Sequence, residues 1–391
     1  MNRLYNDFDN LRFTLITKIK DALLNNQEQD NCGLMGGTVG ELLFLLYYYD
    51  LTKEQYIPDY IFSKLDKIIT MSNSYNKIGY SFSHGLSGIG WFIDVVKRKG
   101  LIDSSSNDVF GSVDEIIFNH SLEDLKFGYY DYISGSLGAL VYFLRKENPP
   151  IHYIKQYLEV LDQIKQSKGN HFFLYENEKK TSCNLGLSHG IPSIIAILLI
   201  AYEKKICTSI SHNLINGFVE FLLSNMHTPE NKGNTYFSYS TDSPTRSTRL
   251  AWCYGDLGIG YILYKTSIMM GDSHLKAKAL EILSYTAKRF DPIQNWVFDA
   301  CLCHGSAGIA YIFQKVYNLS NDRIFADTSE YWYQKTIELG SNPDGIGGYL
   351  FQKKGLKLPI RGILEGVAGV GVSFISAYHE VDTAWDEILL L

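Results

Sequence analysis

The 391-residue chain is 46% hydrophobic and 20% charged. This composition excludes disorder as the main state and supplies apolar side chains for a large core. Its 36 Lys and Arg against 42 Asp and Glu give a net charge of −6 with the signs mixed along the chain, so no basic block is present to follow a phosphate backbone and nucleic acid is excluded as an expected partner. The start MNRLYNDFDNLRF carries no charged-then-apolar signal, no apolar run approaches the roughly 18 residues of a membrane span, and six scattered cysteines do not suggest a disulfide scaffold. A soluble, cytoplasmic protein without an integral membrane segment is expected.

In chain order, the stretch LRFTLITKIKDALL from Leu11 reads as an amphipathic helix. It is followed by the first of seven Gly-x-x-Gly tetrads, each placed just before an apolar run. The tetrads begin at Gly37, Gly85, Gly135, Gly190, Gly255, Gly305 and Gly366, and only the fourth is degenerate, with Ser193 in place of the second glycine. The runs after them (ELLFLLYYY, IGWFIDVV, ALVYFL, IIAILLIAY, IGYILY, IAYIF and VGVSFISAY) are apolar nearly all round, as helices buried on every side must be. Between tetrads lie stretches with apolar residues at three- and four-residue steps, among them IHYIKQYLEVLDQIKQ from Ile151, LINGFVEFLLSNM from Leu214 and LKAKALEILSYTAKRF from Leu275, which read as half-exposed helices.

Successive first glycines are 48, 50, 55, 65, 50 and 61 residues apart, enough for one helical hairpin per repeat and too little for an inserted domain. The first and last buried runs are as apolar as the middle ones, whereas an open array requires polar capping repeats. The sequence therefore predicts an all-α chain, a single domain over residues 1–391, folded as an α/α toroid of seven inner and seven outer helices. The glycines are read as sites where an inner helix approaches its neighbour closely, so function is sought in the residues beside them. In a ring these residues converge on one mouth, at the positive ends of the inner helices.

Immediately before the first glycine stand Gly36, His84, Ser134, His189, Tyr254, His304 and Glu365; one residue earlier stand Met35, Ser83, Ile133, Ser188, Cys253, Cys303 and Leu364. Adjacent repeats five and six thus carry cysteine at the same register position. Cys253, Cys303 and His304 form a soft three-ligand set that suits Zn²⁺ and leaves a fourth tetrahedral position open, the mark of a catalytic zinc. His189 shares the register of His304 and titrates in the range needed for acid-base work. Loops 236–249 and 295–301 fall before the fifth and sixth tetrads, and their aromatics Tyr236, Phe237, Tyr239, Trp296 and Phe298 are expected at the rim, gripping an extended chain.

Together, the seven glycine repeats, WCYG at Trp252 to Gly255, CHG at Cys303 to Gly305, SHG at Ser188 to Gly190 and the pair Tyr130–Asp131 resemble the lanthionine synthetase C-like family, the cyclases of lantibiotic biosynthesis, over nearly the whole chain. The resemblance implies an α/α toroid with zinc on Cys253, Cys303 and His304, acid-base residues at His189 and Asp131, and a further active-site arginine at Arg249. It implies addition of a cysteine thiolate to a dehydroalanine or dehydrobutyrine of a dehydrated precursor peptide, leader plus core, closing a thioether ring. It also brings a lantibiotic dehydratase and an exporter as candidate partners, through which the protein would associate peripherally with a membrane. Ser193 and Asp256 depart from the pattern; Asp256 is read as an ordinary helix-start acid. Two alternatives stay open on the residues alone: a prenyltransferase-like zinc toroid, which would use an Asp-Cys-His ligand set, and a protein that binds glutathione or a peptide thiol without turnover.

Overall fold

Every tetrad starts a helix. The computed structural model describes residues 2–25, 31–72, 78–102, 111–176, 181–230, 234–377 and 382–391. The helices that follow the tetrads are α2 (Thr38–Thr52), α4 (Leu86–Arg98), α6 (Ser136–Arg145), α8 (Ile191–Glu203), α10 (Asp256–Met270), α12 (Ser306–Ser320) and α14 (Val367–Ile375). They are buried over most of their length, as in α8, where every residue from Ile191 to Ala201 is buried; an all-round apolar sequence permits no other placement. The amphipathic helices alternate with them: α1 (Asn2–Leu24), α3 (Tyr56–Ser72), α5 (Gly111–Lys126), α7 (Ile151–Ile164), α9 (Thr208–Ser224), α11 (Ser273–Thr286) and α13 (Arg323–Glu338). Seven buried and seven half-exposed helices are therefore present among the described residues.

The glycines serve a purpose beyond the close approach of neighbours. A Cβ at Gly258 would come within 2.4 Å of the Trp252 carbonyl oxygen, and one at Gly308 within 1.9 Å of the Leu302 carbonyl oxygen. The second glycine of a tetrad thus makes room first for the loop of its own repeat, which folds back over the helix start, and then for a turn side chain of a neighbouring repeat, as Phe82 at 2.6 Å from a Cβ at Gly138 and Leu302 at 2.8 Å from one at Gly369. Ser193 survives in the fourth tetrad by donating its buried hydroxyl to the Gly190 carbonyl at 2.7 Å. Gly255 alone among the first glycines has a positive φ, +93°, a conformation that strains any residue with a side chain.

The chain divides into two compact units, residues 1–79 with 297–387 and residues 80–296 with 388–391. In the first, α14 packs on α1, α2 and α12, so the last repeat lies against the first. Arg361 secures that junction by donating twice to the Glu41 carboxylate, at 2.9 and 2.7 Å, and once to the Leu23 carbonyl at 2.7 Å. In the second unit α4, α6, α8 and α10 pack in succession. The segment after α14 is tied within each unit: Asp386 accepts from Tyr311 at 2.7 Å, and the carbonyls of Ile388 and Leu389 accept from Tyr132 and the Trp252 indole, both at 2.8 Å.

One backbone contact recurs between repeats. Two residues before the first glycine, the N–H of one repeat donates to the carbonyl at the same position of the next: Ser83 to Ile133 (3.1 Å), Ser188 to Cys253 (3.3 Å), Cys303 to Leu364 (3.0 Å) and Leu364 to Met35 (2.9 Å). The register read from sequence is therefore a physical one. Two short antiparallel hairpins, β1 (Gln166–Lys168) with β2 (His171–Phe173) and β3 (Phe351–Lys353) with β4 (Leu356–Leu358), were not expected.

Candidate active site

Asp131 and His189 pair within the second unit. Asp131 lies in the turn before α6, where Oδ1 accepts from the Ser134 N–H at 2.7 Å and from its hydroxyl at 3.0 Å. Oδ2 is left for His189, whose Nδ1 is 2.5 Å away. Burial opposes ionisation of both groups. The bond and charge between them outweigh it, holding Asp131 below the usual carboxylate range and His189 above the usual imidazole range. The side chains remain 28% and 38% exposed, which leaves the imidazole accessible.

Tyr254 closes one side of His189, with ring centres 6.1 Å apart. Its hydroxyl accepts from Asn184 Nδ2 at 3.0 Å, and the same amide donates to Glu176 Oε1 at 3.0 Å. The carbonyl of Cys253 accepts both the N–H and the hydroxyl of Ser188, each at 3.3 Å. The residue beside His189 is thus bonded to the buried Cys253. Arg249 is half-buried; its N–H reaches the Tyr239 hydroxyl at 3.4 Å, and the Tyr239 ring stacks edge-on against Tyr254 at 5.3 Å. Its side chain makes no hydrogen bond or ion pair among the described residues.

In the first unit the turn before α12 carries Cys303 and His304, with Cys303 Sγ and a His304 ring nitrogen within 4.8 Å of each other. A second arrangement occurs in the same turn, where ligand atoms of Asp299, Cys301 and His304 also lie within 4.8 Å. This is the Asp-Cys-His set of the prenyltransferase-like alternative, but the carboxylate already has a structural task. Asp299 Oδ1 accepts from the Cys301 N–H and Oδ2 from the Gln352 N–H, both at 2.9 Å. Asn31 and Asn184, at the equivalent position of their repeats, bond the N–H two residues on in the same way, at 2.9 and 2.8 Å. Asp299 is thus a turn-forming residue of the repeat.

The structure refines two sequence expectations. Asp256 does open α10, but it is fully buried, and its two oxygens accept the N–H groups of Tyr236 and Phe237, both at 3.0 Å. Burial pushes its pKa up to about 6 against the opposing charge of Arg289. Arg289, which the sequence did not single out, braces the same loop by donating to the Thr248 carbonyl at 2.7 Å and to Asn295 Oδ1 at 2.8 Å. Pulled inward by these bonds, Tyr236 and Phe237 belong to the core, while Trp296 and Phe298 are 43% and 49% exposed. Trp296 and Phe298 keep the accessibility expected of rim residues, and Tyr239 is half-buried. His84, carried only by its register, has Ser83 Oγ 2.7 Å from its Nδ1.

The family model for lanthionine synthetase C-like proteins matches residues 28–390. The nisin biosynthesis protein NisC of Lactococcus lactis subsp. lactis is 23% identical over 408 residues, covering 96% of this chain and 94% of the relative. The solved structure of nisin cyclase superposes with a TM-score of 0.76 at 18% identity, over 98% of this chain and 97% of that chain. The fold class is that of nisin cyclase, an α/α toroid. No described helix is long and apolar enough to cross a membrane. With the family model spanning both units, the chain belongs to the lanthionine synthetase C-like family.

Proposed function

We propose that the protein is a zinc-dependent peptide cyclase that adds cysteine thiols of a dehydrated precursor peptide to its dehydroalanine or dehydrobutyrine residues, forming lanthionine and methyllanthionine rings, with all seven repeats acting as one domain. The observation that carries this reading is the coupling of Ser188 to Cys253: it ties an imidazole–carboxylate pair to a cysteine that shares its register with Cys303. A backbone hydrogen bond joins this register between repeats two and three, four and five, six and seven, and seven and one. Repeats five and six are adjacent, and both carry cysteine there.

Cys253, Cys303 and His304 fit zinc by the chemistry of their donors, two thiols that coordinate as thiolates and an imidazole. Bound there, zinc would lower the pKa of a substrate thiol and keep it nucleophilic at neutral pH. The remaining steps fall to the chain. The reaction is a balanced addition: a C–S bond forms at the β-carbon, a C–H bond forms at the α-carbon, and the thiol proton is the one finally gained. His189 accepts that proton and returns one to the enolate, and its raised pKa keeps the acid form available for the second task. Asp131 fixes the proton of the imidazole on Nδ1 and stabilises its cation, leaving Nε2 to the substrate. Arg249, on the edge of the Tyr239–Tyr254 cluster, offers charged hydrogen bonds to the carbonyl that becomes the enolate.

A cytoplasmic location, contact with a dehydratase and an exporter, and peripheral membrane association through them belong to the same proposal. The test is to incubate the purified protein with a dehydrated, cysteine-containing precursor and count the thiols left for alkylation. Thiols should disappear without change of peptide mass, and His189→Ala should abolish this while retaining the metal. Full retention of thiols with the wild type would overturn the reading in favour of a thiol-binding protein without turnover; wild-type ring closure by His189→Ala would remove that residue from the mechanism.

A further inference from the structure

The cavity that holds Asp131 and His189 is not lined by the loops expected to grip the peptide. Asp131 and His189 lie in a cavity of about 300 Å³ that also touches Gly128, Tyr129, Tyr130, Glu176 and Tyr254. A larger cavity of about 540 Å³ continues from it, sharing Gly128, Tyr129, Tyr130 and Glu176, and runs between the loop after α5 and the hairpin β1–β2 as far as Phe127 and Tyr175.

Three features of this groove point to a ligand. It opens directly from the reacting pair, and together the two cavities exceed what a single side chain fills. Phe127 and Tyr129 are 74% and 58% exposed, an apolar cost that an isolated surface does not recover. The third is Tyr130, which belongs to both cavities and is 4% exposed, with a hydroxyl that has no hydrogen-bond partner among the described residues. A buried hydroxyl without a partner is costly, and a peptide amide seated at the junction supplies one after a small shift of the ring.

We propose that this groove is a subsite for the precursor peptide, holding an extended, apolar stretch that continues from the reacting dehydroamino acid. In this subsite Phe127 and Tyr129 form the wall and the Tyr130 hydroxyl bonds a peptide amide. The substrate class rests on the cyclase reading. The groove itself rests on the cavity, the exposed rings and the unpartnered hydroxyl.

The test compares two synthetic peptides on the full chain: one of about twelve residues, long enough when extended at about 3.3 Å per residue to lie along the groove, and one that holds only the reacting cysteine and dehydroalanine with the residues between them. Phe127→Ala with Tyr129→Ala should raise KM for the long peptide about tenfold, the scale of losing aromatic anchors, with kcat unchanged and the short peptide unaffected. Tyr130→Phe should also raise KM for the long peptide without lowering Tm, because the hydroxyl it removes bonds nothing in the free protein. Equal effects on both peptides, or no effect on either, would overturn the subsite. If the wild type closes no ring in either peptide, the cyclase reading fails, and fluorescence anisotropy of the labelled long peptide then judges the groove alone. Binding by the wild type that the double variant loses supports it. Equal binding by both, or none by the wild type, overturns it.

Discussion

Replacing Asp131 by asparagine separates the two tasks of that side chain. In the wild type Oδ1 serves the Ser134 N–H and hydroxyl, and Oδ2 serves His189. An amide has one oxygen. With two donors on the Ser134 side, that oxygen stays there, and the NH₂ group faces His189 Nδ1. A donor facing Nδ1 makes it an acceptor, moving the imidazole proton to Nε2, the nitrogen assigned to the substrate. The lost charge also removes what holds the imidazolium above its usual range. The rate of ring closure should fall by about 10²- to 10⁴-fold, the usual worth of a positioned acid-base group, and the alkaline limb of the pH profile should move to lower pH. Stability should change by less than about 1 kcal/mol, because a pair whose histidine is 38% exposed is screened by solvent. Single-turnover cyclisation from pH 5 to 9, with a parallel thermal melt, measures all three. An unchanged rate and pH profile would refute the role given to the pair.

Asp256→Ala strips two buried N–H groups of their acceptor, those of Tyr236 and Phe237; at about 1–3 kcal/mol each the loss should be about 2–6 kcal/mol, read from the urea midpoint at constant slope. Arg361→Ala leaves Glu41 buried without its partner and should cost about 3–5 kcal/mol in the same assay, most of it recovered when Arg361→Met is combined with Glu41→Leu.

The repeat was legible because two constraints coincide in each copy. The buried helix must be apolar on every side, and its start must tolerate a carbonyl folded over it, so an apolar run and a glycine recur together. Asp131 and His189 were legible for the same reason, since both lie within four residues of a tetrad glycine. The rim was misjudged because aromatic residues read alike in a core and at an edge. What decides between them is Asp256, whose carboxylate draws the backbone at Tyr236 and Phe237 inward, and a hydrogen bond across about twenty residues leaves no periodic trace. Asp299 and Asn184 look like free polar groups in sequence yet form turns at equivalent positions. The hairpins escaped because their strands are three residues long, shorter than an alternating pattern needs. Their turn signals were nonetheless present, as at Lys354–Gly355, where both φ values are positive, 50° and 83°, the conformation of a tight primed turn.

Zinc content per chain in three single variants decides whether the proposed metal is held by Cys253 and Cys303 or by Asp299 and Cys301. Wild-type protein purified without chelator should carry about one zinc. Cys253→Ala and Cys303→Ala should each lose it, while Cys301→Ala keeps it, because the Asp299 carboxylate beside Cys301 is committed to the N–H groups of Cys301 and Gln352. Zinc retained by Cys253→Ala and lost by Cys301→Ala would move the metal to the Asp-Cys-His set and contradict the assignment.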